Sequence, residues 1–188
     1  MRVRVNPRRA LTAVAVVITV AAAAVVWQNL PTPPDVLGPF DVHGEAGSPV
    51  TGRAVSATVT NVRIAPQVDS VTPAGLWVVV DAALEGTVST ELSHSDLLVG
   101  PNTYTPTDVF FIETMTAQIN PGITQRGSWV FDVAPDLVAP GTGEPMTLRV
   151  WVGDGRMDSR LVIRLPQHGA HFSRVDAVTL TKPELSAS

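Results

Sequence analysis

At 188 residues, with no cysteine, 13 Lys and Arg against 17 Asp and Glu, and 45% apolar residues, the chain has room for a membrane-targeting leader and one domain with its own core. The missing cysteines exclude disulfide staples, thiolate metal sites and a lipid-modified cysteine, so the domain must stand on its hydrophobic core. Arg2, Arg4, Arg8 and Arg9 lie in the first nine positions, which leaves nine basic against 17 acidic residues beyond them, a net −8 that opposes nucleic acid and anionic lipid headgroups as partners.

Residues 1–9 form a basic leader whose arginines prefer the cytoplasmic side of a membrane. Residues 10–27 carry no charge: they are Val, Ala, Leu, Ile, Trp and the threonines Thr12 and Thr19, whose hydroxyls can bond back to their own helix. Eighteen such residues at about 1.5 Å each reach roughly 27 Å, just short of a hydrocarbon core of about 30 Å and longer than a signal-peptide core of about 7–15 residues. Ala21 and Ala24, small enough for a signal peptidase, lie inside the apolar run, and Trp27 stands where an interfacial aromatic anchors the outer end. The expectation is a retained signal-anchor: a single-pass transmembrane helix in the cell membrane, with a cytoplasmic N-terminus and an extracytoplasmic C-terminal domain. Secretion after cleavage near Ala24 is the alternative. The surroundings of Arg8-Arg9 fit a twin-arginine signal poorly.

Residues 28–51 read as a Pro- and Gly-rich stalk and lead-in. Pro31, Pro33 and Pro34 fix φ and remove backbone donors, which favours an extended spacer. Phe40 and Val42 are placed to pin the lead-in against a domain whose ordered structure begins near Gly52. Residues 52–166 consist of short β-branched segments bounded by turn residues, and only residues 107–117 are ambiguous with a helix. Val55, Ala57, Val59 and Asn61 alternate with Ser56, Thr58, Thr60 and Val62, an imperfect period of two that suits a sheet with one face on a core. Residues 76–84 form a near-continuous apolar run, the pattern of a central strand, with Trp77 as the bulky residue around which two sheets pack. Gly100-Pro101-Asn102 joins residues 96–99 to 103–105 as a hairpin or strand corner.

Asn120-Pro121-Gly122 is a tight turn that feeds residues 124–133, a strand with Trp129, Phe131 and Val133 on one face. After a loop at 135–145, Met146, Leu148, Val150 and Val152 alternate with Thr147, Arg149 and Trp151. Gly153-Asp154-Gly155-Arg156 then turns the chain into Leu161, Ile163 and Leu165, a final hairpin. Residues 167–188 turn polar, with an edge strand expected over Phe172, Val175, Val178 and Leu180 before a loose tail. The fold class is all-β: an antiparallel β-sandwich preceded by a single N-terminal transmembrane helix.

The order of these pieces resembles a known family. It runs from a Gly-Pro-rich lead-in through the strand at 76–84 to Ser95-Asp96-Leu97-Leu98 with Tyr104 downstream, then Asn120-Pro121-Gly122 leading to Arg126-Gly127-Ser128-Trp129-Val130-Phe131-Asp132-Val133. This resembles the immunoglobulin-like β-sandwich domains of bacterial secreted and membrane-anchored proteins of the telokin-like, immunoprotective-extracellular-protein type. The resemblance covers residues 40–166 and implies an extracytoplasmic immunoglobulin-like sandwich behind a lipobox or a single helix. It implies no catalytic residue, because the family shares none to carry over, and the lipobox cysteine has no counterpart here.

Four groups of residues bear on chemistry. His168 and His171 stand three apart in a loop and need a third ligand such as Asp176 or Glu184 to hold a divalent metal. Ser93-His94-Ser95-Asp96 has the letters of a catalytic triad, but neighbours on a strand point to opposite faces and cannot form that relay. Asp132, Asp136, Glu144, Asp154 and Asp158 are strand-end or loop carboxylates that Ca²⁺ would need to find gathered at one end. Val109, Phe110, Phe111, Ile112 and Met115 make an apolar patch in the long connection between residues 105 and 120. It either packs over the open end of the sandwich or offers a contact surface to a partner. With no catalytic constellation and no cofactor motif, the sequence points away from an enzyme. It points towards an interaction module, an accessory or scaffold subunit of a cell-envelope transport or secretion assembly, with the membrane and an envelope protein as partners. An extracytoplasmic ligand- or divalent-metal-binding domain is the alternative.

Overall fold

The computed structural model describes residues 7–31, 37–141 and 143–187. Residues 1–6 of the leader and residues 32–36 of the proline spacer lie outside the described residues. The chain divides into two units, Met1–Leu37 and Gly38–Ser188.

The first unit holds one helix, α1 (Pro7–Gln28). Its 22 residues at about 1.5 Å each span roughly 33 Å, against about 30 Å of hydrocarbon. Within it, Leu11–Gln28 is long and apolar enough to cross a membrane, as a single-pass anchor or a signal sequence would be. Thr12 and Thr19 donate their hydroxyls to the carbonyls of Arg8 and Ala15, both at 3.0 Å, so neither presents an unpaired hydroxyl to an apolar surrounding. At the other end Asn29 donates its side-chain amide to the Val25 carbonyl at 2.7 Å and its backbone N–H to Val25 and Val26, which satisfies carbonyls the last turn leaves open.

The second unit is built from strands. β1 (Phe40–Glu45), β2 (Val50–Thr51), β3 (Val55–Ala65), β4 (Leu76–Gly86), β5 (Glu91–Val99), β6 (Asn102–Tyr104) and β7 (Gln118–Ile119) precede β8 (Ile123–Val133). A single helical turn, α2 (Pro135–Val138), then leads to β9 (Met146–Val152), β10 (Ser159–Leu165), β11 (Phe172–Arg174) and β12 (Glu184–Ala187). One sheet has the order β1-β10-β9-β5-β6, with β7 also on β5; the other has the order β11-β3-β4-β8-β12, with β2 also on β3. Inward residues of both sheets, including Val80, Leu84, Phe131, Leu97, Leu148 and Ile163, join one buried cluster. Val78 and Val80 of β4 face this cluster while Trp77 and Val79 face a second one with Phe110, Val130 and Val178, which is why residues 76–80 read as continuous apolar sequence.

Four features differ from the sequence expectation. Ordered structure begins at Phe40, well before Gly52: β1 pairs with β10, and Val50 is buried. The glycines that make this lead-in look loose have a packing role, since a Cβ on Gly44 would come within 2.2 Å of Val50. Pairing is mixed rather than purely antiparallel, because β1 runs parallel to β10 and β11 parallel to β3. Trp77 is not the residue around which the sheets pack; it lies in the second cluster, where its indole N–H reaches the Val71 carbonyl at 3.0 Å, and Trp129 and Phe131 occupy the shared core. Finally, residues 167–188 supply strands to both edges of one sheet, β11 beside β3 and β12 beside β8.

Candidate functional site

Between Tyr104 and Gln118 the chain forms a series of turns with no helix, and backbone bonds strap it to β8 twice. Thr107 N–H donates to Val130 at 2.8 Å and Met115 N–H to Ser128 at 3.1 Å. Between the straps, Glu113 N–H and the Thr114 hydroxyl both bond to the Phe110 carbonyl, at 3.0 and 2.9 Å, which closes a tight loop around Phe110.

This loop sorts the five apolar residues into two groups. Phe110 is 4% exposed and meets the Trp77 ring edge-on at 5.5 Å, and Met115 is 3% exposed within the shared core. Both belong to the interior, whereas the sequence placed them in one patch with Val109, Phe111 and Ile112. Val109, Phe111 and Ile112 are 58%, 63% and 63% exposed, and they form the outward part of the patch. For Met115 alone the sequence held a signal in Gly127 of β8: a Cβ there would come within 2.8 Å of Met115, and a glycine inside a strand marks such close approach.

Beside the connection a cleft of about 440 Å³ follows the edge of β5. Its walls include Ser93 and Ser95, the exposed ring of Phe111, Trp129 from the inner face of β8, and Trp151 from β9. His94 stacks on Trp151 with ring centres 5.8 Å apart. Across the same pair of strands Arg149 holds Asp96 through two bonds, Nε to Oδ1 at 2.6 Å and Nη2 to Oδ2. The hydrogen bond to Asp96 raises the Arg149 pKa above its ordinary value, and burial opposes that shift.

No family model, curated protein or solved structure matches the chain.

The remaining candidates do not assemble into sites. The cluster Ser93-His94-Ser95-Asp96 divides across β5: the serines fall in phase with the core residues Leu97 and Val99, while His94 and Asp96 face Trp151 and Arg149 on β9. The His171 ring donates from Nδ1 to the Thr60 carbonyl at 2.8 Å. Among the described residues no three His, Asp or Glu side chains converge on a metal position. Three of the five carboxylates do local backbone work: Asp132 accepts from Ala74 and Gly75, Asp154 from Arg156, and Asp158 from Ser159. The cleft itself was missed because its walls come from four separate segments, β5, the connection after Tyr104, β8 and β9. Its one local signal was that the Leu97 and Val99 core phase, continued backwards along β5, lands on two serines.

Proposed function

We propose that this protein is a membrane-tethered, extracytoplasmic interaction module: an immunoglobulin-like β-sandwich of the telokin-like type behind a signal-anchor helix. It serves as a non-enzymatic accessory or scaffold subunit of a cell-envelope transport or secretion assembly. The observation that carries this is the outward group Val109, Phe111 and Ile112. Three large apolar side chains stand exposed on a loop that Phe110, Thr114 and Met115 lock in place. A mobile loop would lose ordering entropy on binding; a strapped one presents its apolar side chains at lower cost. Burying Phe111 and Ile112 under a partner would recover about 1.5–3 kcal/mol each, before the costs of association.

The test is co-purification of the full chain from detergent-solubilised native membranes, comparing wild type with Val109→Ser/Phe111→Ser/Ile112→Ser. Phe110 is left intact because its replacement would damage the fold. A defined envelope protein should accompany the wild type and be lost from the variant. Identical profiles from the two preparations would remove this surface from consideration.

A further inference from the structure

The edge of β5 is covered at both ends and open in the middle. β6 pairs with Leu97, Leu98 and Val99, and β7 pairs with Glu91 and Leu92, whereas among the described residues no strand pairs with Ser93, His94, Ser95 or Asp96 on that side. The gap of four residues is about 13 Å long. Gly153 N–H donates to the Leu92 carbonyl across the β9 side, which fixes the alternation of the main chain. Leu92, His94 and Asp96 turn their backbone groups to β9, and Ser93 and Ser95 turn theirs to the open edge.

The side chains of the same two residues are also unsatisfied. Ser93 and Ser95 are 9% and 8% exposed, and among the described residues neither hydroxyl has a hydrogen-bond partner. A buried hydroxyl without a partner is destabilising; both oxygens are shielded from solvent, so they can bond an occupant only by rotating towards the open edge, where their own main-chain groups already point. Because the edge is open, one cleft reaches groups from both faces of β5, with Trp129 on the inner side and Trp151 on the outer. Its carboxylates are Asp96, already paired with Arg149, and Asp108, which is exposed; no Lys or Arg lines it among the described residues, and the remaining ionisable side chain is His94, stacked on Trp151.

We infer that this cleft binds an extended peptide segment of a partner protein, which adds a short strand to the β5 edge at Ser93–Asp96 and carries a basic side chain beside Asp108. The assignment rests on the interaction-module proposal and names the ligand of that module. An extended main chain is the chemistry that offers N–H and C=O groups at the spacing of a strand edge. Alternate side chains of the added strand fall on Phe111 and towards the serine wall. An acidic segment would meet Asp108 unpaired, so charge as well as shape selects the occupant.

The full chain in detergent micelles is panned against phage-displayed random heptapeptides, and the enriched peptides are synthesised for titration. Enrichment should favour Lys or Arg within β-branched, proline-free sequences. Amide exchange should show Ser93 and Ser95 gaining protection on binding, while His94 and Asp96, already bonded to β9, change little. Ser93→Val/Ser95→Val, which closes the wall while retaining a foldable strand, and Asp108→Lys should each weaken binding at least tenfold, as should N-methylation of the central peptide bonds. Three results overturn the inference: enrichment of acidic or proline-rich peptides or of none, unchanged affinity in both protein variants, or protection of the two serine amides by self-association of the chain alone. The native co-purification separates this failure from that of the broader proposal. A partner lost with the Val109, Phe111 and Ile112 substitutions but retained by Ser93→Val/Ser95→Val leaves the module standing and the strand-addition site empty.

Discussion

Gln125 and Asp96 are both buried polar side chains on strands, and their surroundings give them opposite consequences. Gln125 is 1% exposed, sits opposite Leu84 in the β4–β8 ladder, and leaves its Oε1 without a partner among the described residues. An orphaned buried acceptor costs about 1–3 kcal/mol, and methionine matches glutamine in length without the polar atoms. Gln125→Met should therefore raise stability by about 1 kcal/mol, read as a higher urea midpoint at unchanged slope; a lower midpoint would mean that the amide has a partner worth keeping. Asp96 is instead held by two bonds from Arg149, with the two side chains 10% and 23% exposed. Asp96→Ala leaves a partly buried guanidinium uncompensated and should lower stability by about 2 kcal/mol, discounted from a fully buried pair because Arg149 still reaches water. A raised pKa means that the stabilisation is fully present below the unfolded-state value and fades only as pH climbs through the folded one. For a guanidinium that window lies far above neutrality, so the Arg149 contribution should not vary across the physiological range.

At the scale of elements, β3 shows how an apparently flawed pattern can be a precise instruction. Val55, Ala57 and Val59 point to the core on one phase, and Val62 and Ile64 return to it on the other, with the register against β4 shifting between Val59 and Asn61. Thr60 is the extra residue of a β-bulge that restores the inward phase. Removing Thr60 should leave a continuous alternation and a folded domain, whereas removing Thr58 should turn Val55 and Ala57 outward and abolish folding. Circular dichroism and thermal melts of the two deletions check this, and equal damage from both would count against it. Period-two signals of this kind made β8, β9 and β10 legible in sequence, because each carries its own inward phase, and β4 was legible instead from its near-continuous apolar run. Trp77 was misplaced for a related reason: β4 is buried on both faces, so hydrophobicity alone cannot say which cluster a given residue joins. β1 and β11 were harder still. Each pairs in parallel with a strand about a hundred residues away, and no local turn announces such a partner.

At the scale of the whole molecule, the open question is whether the domain stays on its helix. α1 runs unbroken from Pro7 to Gln28, so the small residues Ala21 to Ala24 lie within the helix rather than after it. Asn29 closes its end through the Val25 carbonyl, one turn beyond those alanines. A retained span of this length matches the hydrocarbon thickness, while a signal core is commonly followed by its cleavage site. The expected outcome is that the protein purified from native membranes retains residues 1–28, read by mass spectrometry of its N-terminal peptides, and resists carbonate extraction. Placing an aspartate at Val17, near the middle of α1, should cost about 2.5–3.5 kcal/mol of insertion and shift the chain towards the soluble fraction. An N-terminus found at or just after Ala24 would replace the anchor with a cleaved signal. The proposed partner would then have to be recruited without the two-dimensional confinement that a shared membrane would provide, and affinity measured in solution would have to account for the whole association.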